Sequence, residues 1–220
     1  MSAGNTEIQG VIFDLDGTIV DTEGTAQSVI EEALLAWGLK LDVSHRGLVS
    51  GRTWAAGFDI LFERYAVPVP RAEAEHEILA RYRAATSREL LVIPGVVKAI
   101  RALAGTYPLA LVSGSHRREI LFALDRLKVR DLFTHIFGAE DYPRSKPAPD
   151  GFLKAIEALK VSPSQCLVFE DSAAGIAGAR AAGLQVVAVT HANPFGESHS
   201  AAHSSIANFE GVDVEWVRRL

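Results

Sequence analysis

The stretch Phe13-Asp14-Leu15-Asp16-Gly17-Thr18 closes an apolar run that begins at Ile8, and it puts two carboxylates where a strand leaves the interior. Side chains alternate along a strand, so Asp14 and Asp16 share one face while Leu15 points back into the fold. Gly17 permits a sharp turn directly after them. Thr18 offers a hydroxyl and a backbone N–H to an anion. Two carboxylates about 4 Å apart near a protein surface repel by roughly 4 kcal/mol, which demands a compensating cation or a raised pKa. An ordinary strand ending in an Asx-type turn accounts for one aspartate but not for two on one face.

Beyond Asp21, the apolar residues Ala26, Val29, Ile30, Ala33, Leu34 and Trp37 recur at helical spacing, and Gly38 stands where a helix C-terminal cap belongs. A second stripe, Trp54, Phe58, Leu61, Phe62 and Tyr65, stops before Pro68 and Pro70, and a more polar helical stretch runs from about Arg71 to Arg88. No strand signal falls between Thr22 and Glu89. Residues 21–90 are therefore expected to form an all-helical insert, and residues 1–20 with 91–220 the domain that carries it. From Pro94 onward helices and strands alternate. Helix Val96 to Ala104 precedes strand Leu109 to Val112; helix His116 to Leu127 precedes a short strand near Ile136-Phe137. Helix Asp150 to Leu159, strand Cys166 to Phe169, helix Ala173 to Ala182 and strand Val186 to Val189 complete the series. With strand Ile8 to Phe13 added, this is the signature of an α/β fold with a doubly wound parallel sheet, because parallel strands need crossover helices.

Composition narrows the function classes. The chain has 220 residues, 48% of them hydrophobic, with a formal net charge of −5. That balance provides a sizeable core and no basic footprint, which argues against nucleic acid and anionic membrane as partners. A single cysteine, Cys166, lies within the apolar run Cys166-Leu167-Val168-Phe169 and reads as a core thiol, so a reducing cytoplasm is expected. The polar start of the chain shows no export signal, and no segment reaches 18 uninterrupted apolar residues. A monomer is the expectation for its oligomeric state.

Ligands in such sheets bind beyond the carboxyl ends of the strands. Taking the residues at those ends together gives one site: Asp14 and Asp16 after the first strand, Ser113-Gly114-Ser115 after the second, Lys146 in the loop past the third and Glu170-Asp171 after the fourth. Singly, each has an ordinary explanation, with Ser113 as a helix N-cap, Lys146 as a solvated cation and Glu170-Asp171 as helix-start acids. Jointly they are hard to obtain from capping. Clustered acids favour a hard cation, and Mg²⁺ takes one or two carboxylates, waters and a substrate phosphate; Asp14, Glu170 and Asp171 are the expected ligands. Asp14 can also attack phosphorus to give an aspartyl-phosphate. Lys146 would flank the transferring group while Thr18, Ser113 and the Gly114 N–H hold its oxygens. Asp16 would serve as general acid and then base.

Asp14-Leu15-Asp16-Gly17-Thr18, Ser113, Lys146-Pro147 and Glu170-Asp171 resemble the four ordered motifs of the haloacid dehalogenase superfamily of phosphatases, over essentially the whole chain. The insert resembles the helical cap of the subfamily that includes phosphoglycolate phosphatase, sugar-phosphate phosphatases and β-phosphoglucomutase. The resemblance implies a mobile cap, Mg²⁺ dependence, Asp14 as nucleophile, a metal contact from the Asp16 backbone carbonyl and a small phosphorylated metabolite as substrate. Retention of Asp16 favours phosphoester chemistry over the dehalogenases and phosphonatases, which lack an acid there. The alternatives are a β-phosphoglucomutase-like phosphotransferase, weakened because its cap histidine is matched here by Ala26, and a non-catalytic member that only binds such metabolites.

Substrate preference falls to the cap. Gly51-Arg52-Thr53 resembles the substrate-facing loop of the sugar-phosphate enzymes, so Arg52 is a candidate anion or sugar ligand, with a solvated helix-start cation as its plain reading. Glu23 reads as a first-turn helix acid or a substrate contact. His191, His199 and His203 lack a ligand scaffold and read as surface histidines. Gly175, Gly178 and Gly183 suit close helix packing and a helix end, and no G-x-x-x-x-G-K-[ST] phosphate loop is present.

Overall fold

A computed structural model of the chain describes residues 7–45, 52–192, 196 and 198–220. Six parallel strands form one sheet: β1 (Gly10–Phe13), β2 (Leu109–Val112), β3 (His135–Phe137), β4 (Cys166–Glu170), β5 (Gln185–Val189) and β6 (Ser204–Ile206), in the spatial order β3-β2-β1-β4-β5-β6. The order reverses at β1, which pairs with β2 on one side and β4 on the other, and that reversal opens a crevice at the carboxyl edge.

Alternation along the strands divides the core between two faces. Val11, Phe13, Leu109, Leu111, Leu167 and Phe169 meet α4 (Val96–Ala104), α5 (Arg117–Leu127) and α8 (Val214–Arg218) on one face. Ile12, Ala110, Val112, Cys166 and Val168 meet α6 (Asp150–Leu159) and α7 (Ala173–Ala181) on the other. Phe13 and Phe169 stack at 5.1 Å between ring centroids, and Phe209 closes on both at 5.8 and 5.0 Å. Rings in such pairs add about 0.5–1.5 kcal/mol each beyond their buried area, holding the strand ends that carry Asp14 and Glu170 in fixed register.

Between β1 and α4 lie α1 (Glu23–Ala36), α2 (Trp54–Arg64) and α3 (Arg71–Arg88), whose buried residues, among them Ala26, Ile30, Leu34, Trp54, Phe58, Leu61, Ile78 and Tyr82, form an apolar cluster of their own. The chain leaves and returns side by side. Val20 and Val92 form an antiparallel bridge, the Asp21 N–H donates to Leu91 O at 3.0 Å and the Ile93 N–H to Ile19 O at 3.1 Å. Gly38, just past the end of α1, adopts φ +75, the left-handed conformation its place demands.

Several expected boundaries move. The first strand begins at Gly10, not Ile8, and the fourth continues through Glu170. Glu170 is thus a sheet residue paired in register with Ala188, not a helix-start acid. Strand β6 and helix α8 were not expected from the sequence. Ser204-Ser205-Ile206 has no apolar alternation, and it becomes a strand because the edge of β5 offers unpaired backbone groups, Val187 to Val189 aligning with Ser204 to Ile206.

Candidate active site

The carboxyl edge of the sheet brings four strand ends together. Asp14 follows β1 directly, and its N–H donates to Phe169 O at 3.0 Å, so the first and fourth strands fix it jointly. The Lys146 ammonium, 4% exposed, donates to Asp14 Oδ1 at 2.6 Å and also to Glu170 Oε1. The ammonium also lies over the Phe152 ring, 5.3 Å from Nζ to the centroid. The other Glu170 oxygen, Oε2, accepts from the Ser172 N–H at 2.8 Å and the Ser172 hydroxyl at 3.0 Å.

These buried charges govern one another. Burial, helped by the negative charges of Glu170 and Asp16, pushes the Asp14 carboxyl up to about 8 against the pull of Lys146. Burial works against the Lys146 ammonium, yet the Asp14 and Glu170 carboxylates outweigh it and hold the lysine above its usual range. Burial alone pushes the Cys166 thiol up to about 12, in keeping with a core position and no nucleophilic role.

Two glycines make the acid cluster sterically feasible. Gly17 turns at φ +79, and a Cβ there would come 1.9 Å from Asp171 Oδ2. At Gly175 a Cβ would come 1.7 Å from Glu170 Oε1. Gly175 therefore makes room for a carboxylate more than for a helix, whereas Gly178 packs against Ala148 and Pro147 as expected, and Gly183 takes the left-handed turn that ends α7. Thr18 is fully buried; its hydroxyl donates to Asp171 Oδ1 at 3.0 Å and its N–H to Leu15 O at 3.3 Å. It lies against Asp171 instead of facing the cavity described next.

Asp16 stands at the centre of a second network. Its Oδ1 accepts from the Thr22 hydroxyl at 2.6 Å and the Tyr82 hydroxyl at 3.2 Å, and its Oδ2 from Ser115 at 2.6 Å and Ser113 at 3.2 Å. Asp14, Asp16, Thr22, Ala26, Arg52, Trp54, Tyr82, Ser113, Gly114 and Ser115 line one cavity of about 30 Å³ between the sheet edge and the helical insert. The insert is seated tightly there. A Cβ on Gly114 would come 2.2 Å from Arg52 O, and the Thr53 N–H donates to the Ser145 hydroxyl at 2.9 Å. Gly51 and the side chain of Glu23 lie outside the described residues. By sequence, Ser115 groups with Ser113 and Gly114 but takes no role, and Thr22, Tyr82 and Ser172 are not singled out. Ser115 and Ser172 adjoin motif residues and Thr22 adjoins the crossing into the insert, but nothing local marks Tyr82, which lies 66 residues from Asp16 in the chain.

Among the described residues, the one group of three or more potential metal-ligating side chains is Asp14, Glu170 and Asp171, all buried, with ligand atoms within 4.8 Å of one another. Three carboxylates without histidine or cysteine suit a hard divalent cation such as Mg²⁺. His191, His199 and His203 form no such group.

A doubly wound sheet whose carboxyl edge gathers buried acids around one lysine defines an α/β enzyme with a site built for anion chemistry. The chain belongs to the haloacid dehalogenase-like hydrolases, whose family pattern matches residues 8–183, and within that family it is a phosphatase. It is 34% identical over 186 residues to fructose-1-phosphate phosphatase YqaB of Escherichia coli, covering 82% of this chain and 95% of that protein. It is 30% identical over 206 residues to phosphoglycolate phosphatase of Pseudomonas putida, covering 89% and 74%. The solved structure of CbbY from Rhodobacter sphaeroides in complex with phosphate shares the fold, with a TM-score of 0.82 at 22% identity over 97% of this chain and 100% of that one.

Proposed function

We propose that this protein is a Mg²⁺-dependent phosphomonoester hydrolase that acts on a small phosphorylated metabolite, of the sugar-phosphate or phosphoglycolate kind, through an aspartyl-phosphate on Asp14. The observation that carries the reading is the buried Asp14 carboxylate, paired at 2.6 Å with the Lys146 ammonium and opening on the same cavity as Asp16. The names of the relatives above support the substrate class.

In this reading Asp14 attacks phosphorus, the bond to the leaving oxygen breaks, and that oxygen takes a proton from Asp16. Water then attacks the phosphorus of the aspartyl-phosphate, Asp16 takes its proton, the bond to Asp14 breaks and inorganic phosphate departs. Lys146 offsets the charge on Asp14 and on the transferring group, and Ser113 with the Gly114 N–H holds phosphoryl oxygens. Asp14, Glu170 and Asp171, with the Asp16 backbone carbonyl, would hold Mg²⁺, which supplies charge neutralisation on the phosphoryl oxygens when bound. Thr18 acts one step back by orienting Asp171.

Residues 21–90 serve as a cap over this site. Their separate apolar cluster and adjacent crossing points support that boundary, and a cavity of about 30 Å³ implies that the cap lifts to admit substrate. Arg52 lines the cavity and would bind a substrate anion or hydroxyl. Ala26 also lines the cavity, where its side chain offers no hydrogen bond to a second sugar hydroxyl, which supports water as the acceptor. The reading places the enzyme in the cytoplasm with a small metabolite as its partner.

The test is phosphate release with Mg²⁺ from a panel of fructose 1-phosphate, other sugar phosphates, phosphoglycolate and nucleotides. The panel includes β-glucose 1-phosphate with a trace of glucose 1,6-bisphosphate. Inorganic phosphate from several esters is the expected product. Rapid glucose 6-phosphate with little free phosphate would replace the hydrolase by a mutase.

A further inference from the structure

The hydrogen bonds on Asp16 divide between two parts of the molecule. Its Oδ2 is held by Ser113 and Ser115, both past the end of β2. Its Oδ1 is held by Thr22, at the start of the insert, and by Tyr82 from the fourth turn of α3. Of the four donors, Tyr82 is the one contributed by a distant element of the insert. Its ring is 5% exposed and meets Trp54 edge-on at 5.0 Å, so the hydroxyl is carried on a packed ring. The next residue anchors the same helix to the core, since Arg83 Nε donates to Glu119 Oε1 of α5 at 3.1 Å. Consecutive residues of α3 thus grip the core at two points, and one of them is Asp16.

We propose that Tyr82 is a positioning residue for the reaction: its hydroxyl holds Asp16 Oδ1 so that the carboxyl is aimed at the leaving oxygen when α3 is seated. The inference rests on the reading of Asp16 as the general acid. A carboxyl can rotate about its terminal torsion over a broad range, and in the reading above Ser113 is shared with a phosphoryl oxygen. The donors on Oδ1 then fix the aim. Thr22 alone leaves that oxygen one support at the crossing into the insert; Tyr82 adds the support that depends on the helix being in place.

The experiment compares Tyr82→Phe with the parent on two Mg²⁺-supported substrates, reading kcat/KM, which covers steps up to departure of the leaving group. One is p-nitrophenyl phosphate, whose leaving group departs without a proton. The other is fructose 1-phosphate, or whichever sugar phosphate turns over faster, whose alkoxide needs one. Loss of a neutral hydrogen bond that aims the acid should lower kcat/KM on the sugar phosphate roughly 3- to 10-fold, with less than about two-fold change on p-nitrophenyl phosphate. The phenyl ring preserves the Trp54 contact, and an unchanged melting temperature in Mg²⁺ confirms that packing survives. Equal losses on both substrates, or no loss on the sugar phosphate, would overturn the role of Tyr82. Asp16→Asn is run alongside. If it shows the leaving-group discrimination and Tyr82→Phe does not, the positioning role alone falls; if it too affects both substrates equally, the reading of Asp16 as general acid falls with it.

Discussion

Replacing Lys146 by methionine removes one positive charge while keeping an unbranched apolar side chain in its place. What stays behind is Asp14 and Glu170, both buried, with oxygens within 4.8 Å of each other and no ammonium between them. At an effective dielectric of about 20 two charges at that separation repel by about 3 kcal/mol or more, which the variant avoids only by keeping a proton on Asp14 while Glu170 stays buried without its ammonium partner; deleting one partner of a buried ion pair costs roughly 3–5 kcal/mol. For a chain of this length, 3 kcal/mol corresponds to a fall of roughly 6–12 °C in melting temperature. The assay is thermal unfolding of the parent and of Lys146→Met, each in chelator and in excess Mg²⁺. In chelator near pH 8 the variant should melt lower by that amount. Because Lys146 lowers the pKa of Asp14, its removal raises that pKa further. A raised aspartate pKa means stability is lost as pH rises from the unfolded value up to the folded one, and that loss runs to higher pH in the variant than in the parent, so the deficit should level off below about pH 8 and widen above it. Mg²⁺ in hundred-fold excess over its Kd contributes about 2.7 kcal/mol and should recover much of the stability. Turnover should stay depressed by at least about 100-fold, because the charge aimed at the transferring group is gone. Equal melting curves for variant and parent in chelator at pH 8 would refute the account of Lys146 as the counter-charge of a buried acid pair.

Other outcomes follow from the same geometry. Asp14→Asn should abolish turnover while leaving the protein folded, as judged by circular dichroism and phosphate release, since the amide keeps the shape and loses the nucleophile. Chelation should silence the enzyme and Mg²⁺ restore it, whereas Ca²⁺, with longer and looser coordination, should not. Calorimetric titration should show Mg²⁺ binding that tightens as pH rises toward 8, because a proton on Asp14, held up to about 8 in the metal-free protein, competes with the cation. Gly175→Ala should displace Glu170, because its methyl would fall 1.7 Å from Oε1; a raised Mg²⁺ requirement, measured as half-saturating concentration, is the expected readout.

Much of this architecture is written in local sequence. The alternation of apolar runs with helical stripes predicts the parallel sheet, because each strand buried on both faces must be continuous in apolar residues and each crossover must be amphipathic. Asp14, Lys146 and Glu170-Asp171 were legible because they sit at or near strand ends, where the ligand edge of such a sheet must lie. What the sequence could not determine depends on distance along the chain. Strand β6 exists because β5 has an open edge for Ser204-Ser205-Ile206 to pair with, not because those residues favour a strand. Thr18 spends its hydroxyl on Asp171, 153 residues away, and Tyr82 reaches Asp16 across 66. The shift of Asp14 toward 8 arises from burial together with neighbours supplied by separate loops. Local pattern sets which elements form and which residues stand at their ends. Hydrogen-bond partners and pKa values depend on distances of a few ångströms between remote segments, and those are set only when the helices have packed on the sheet.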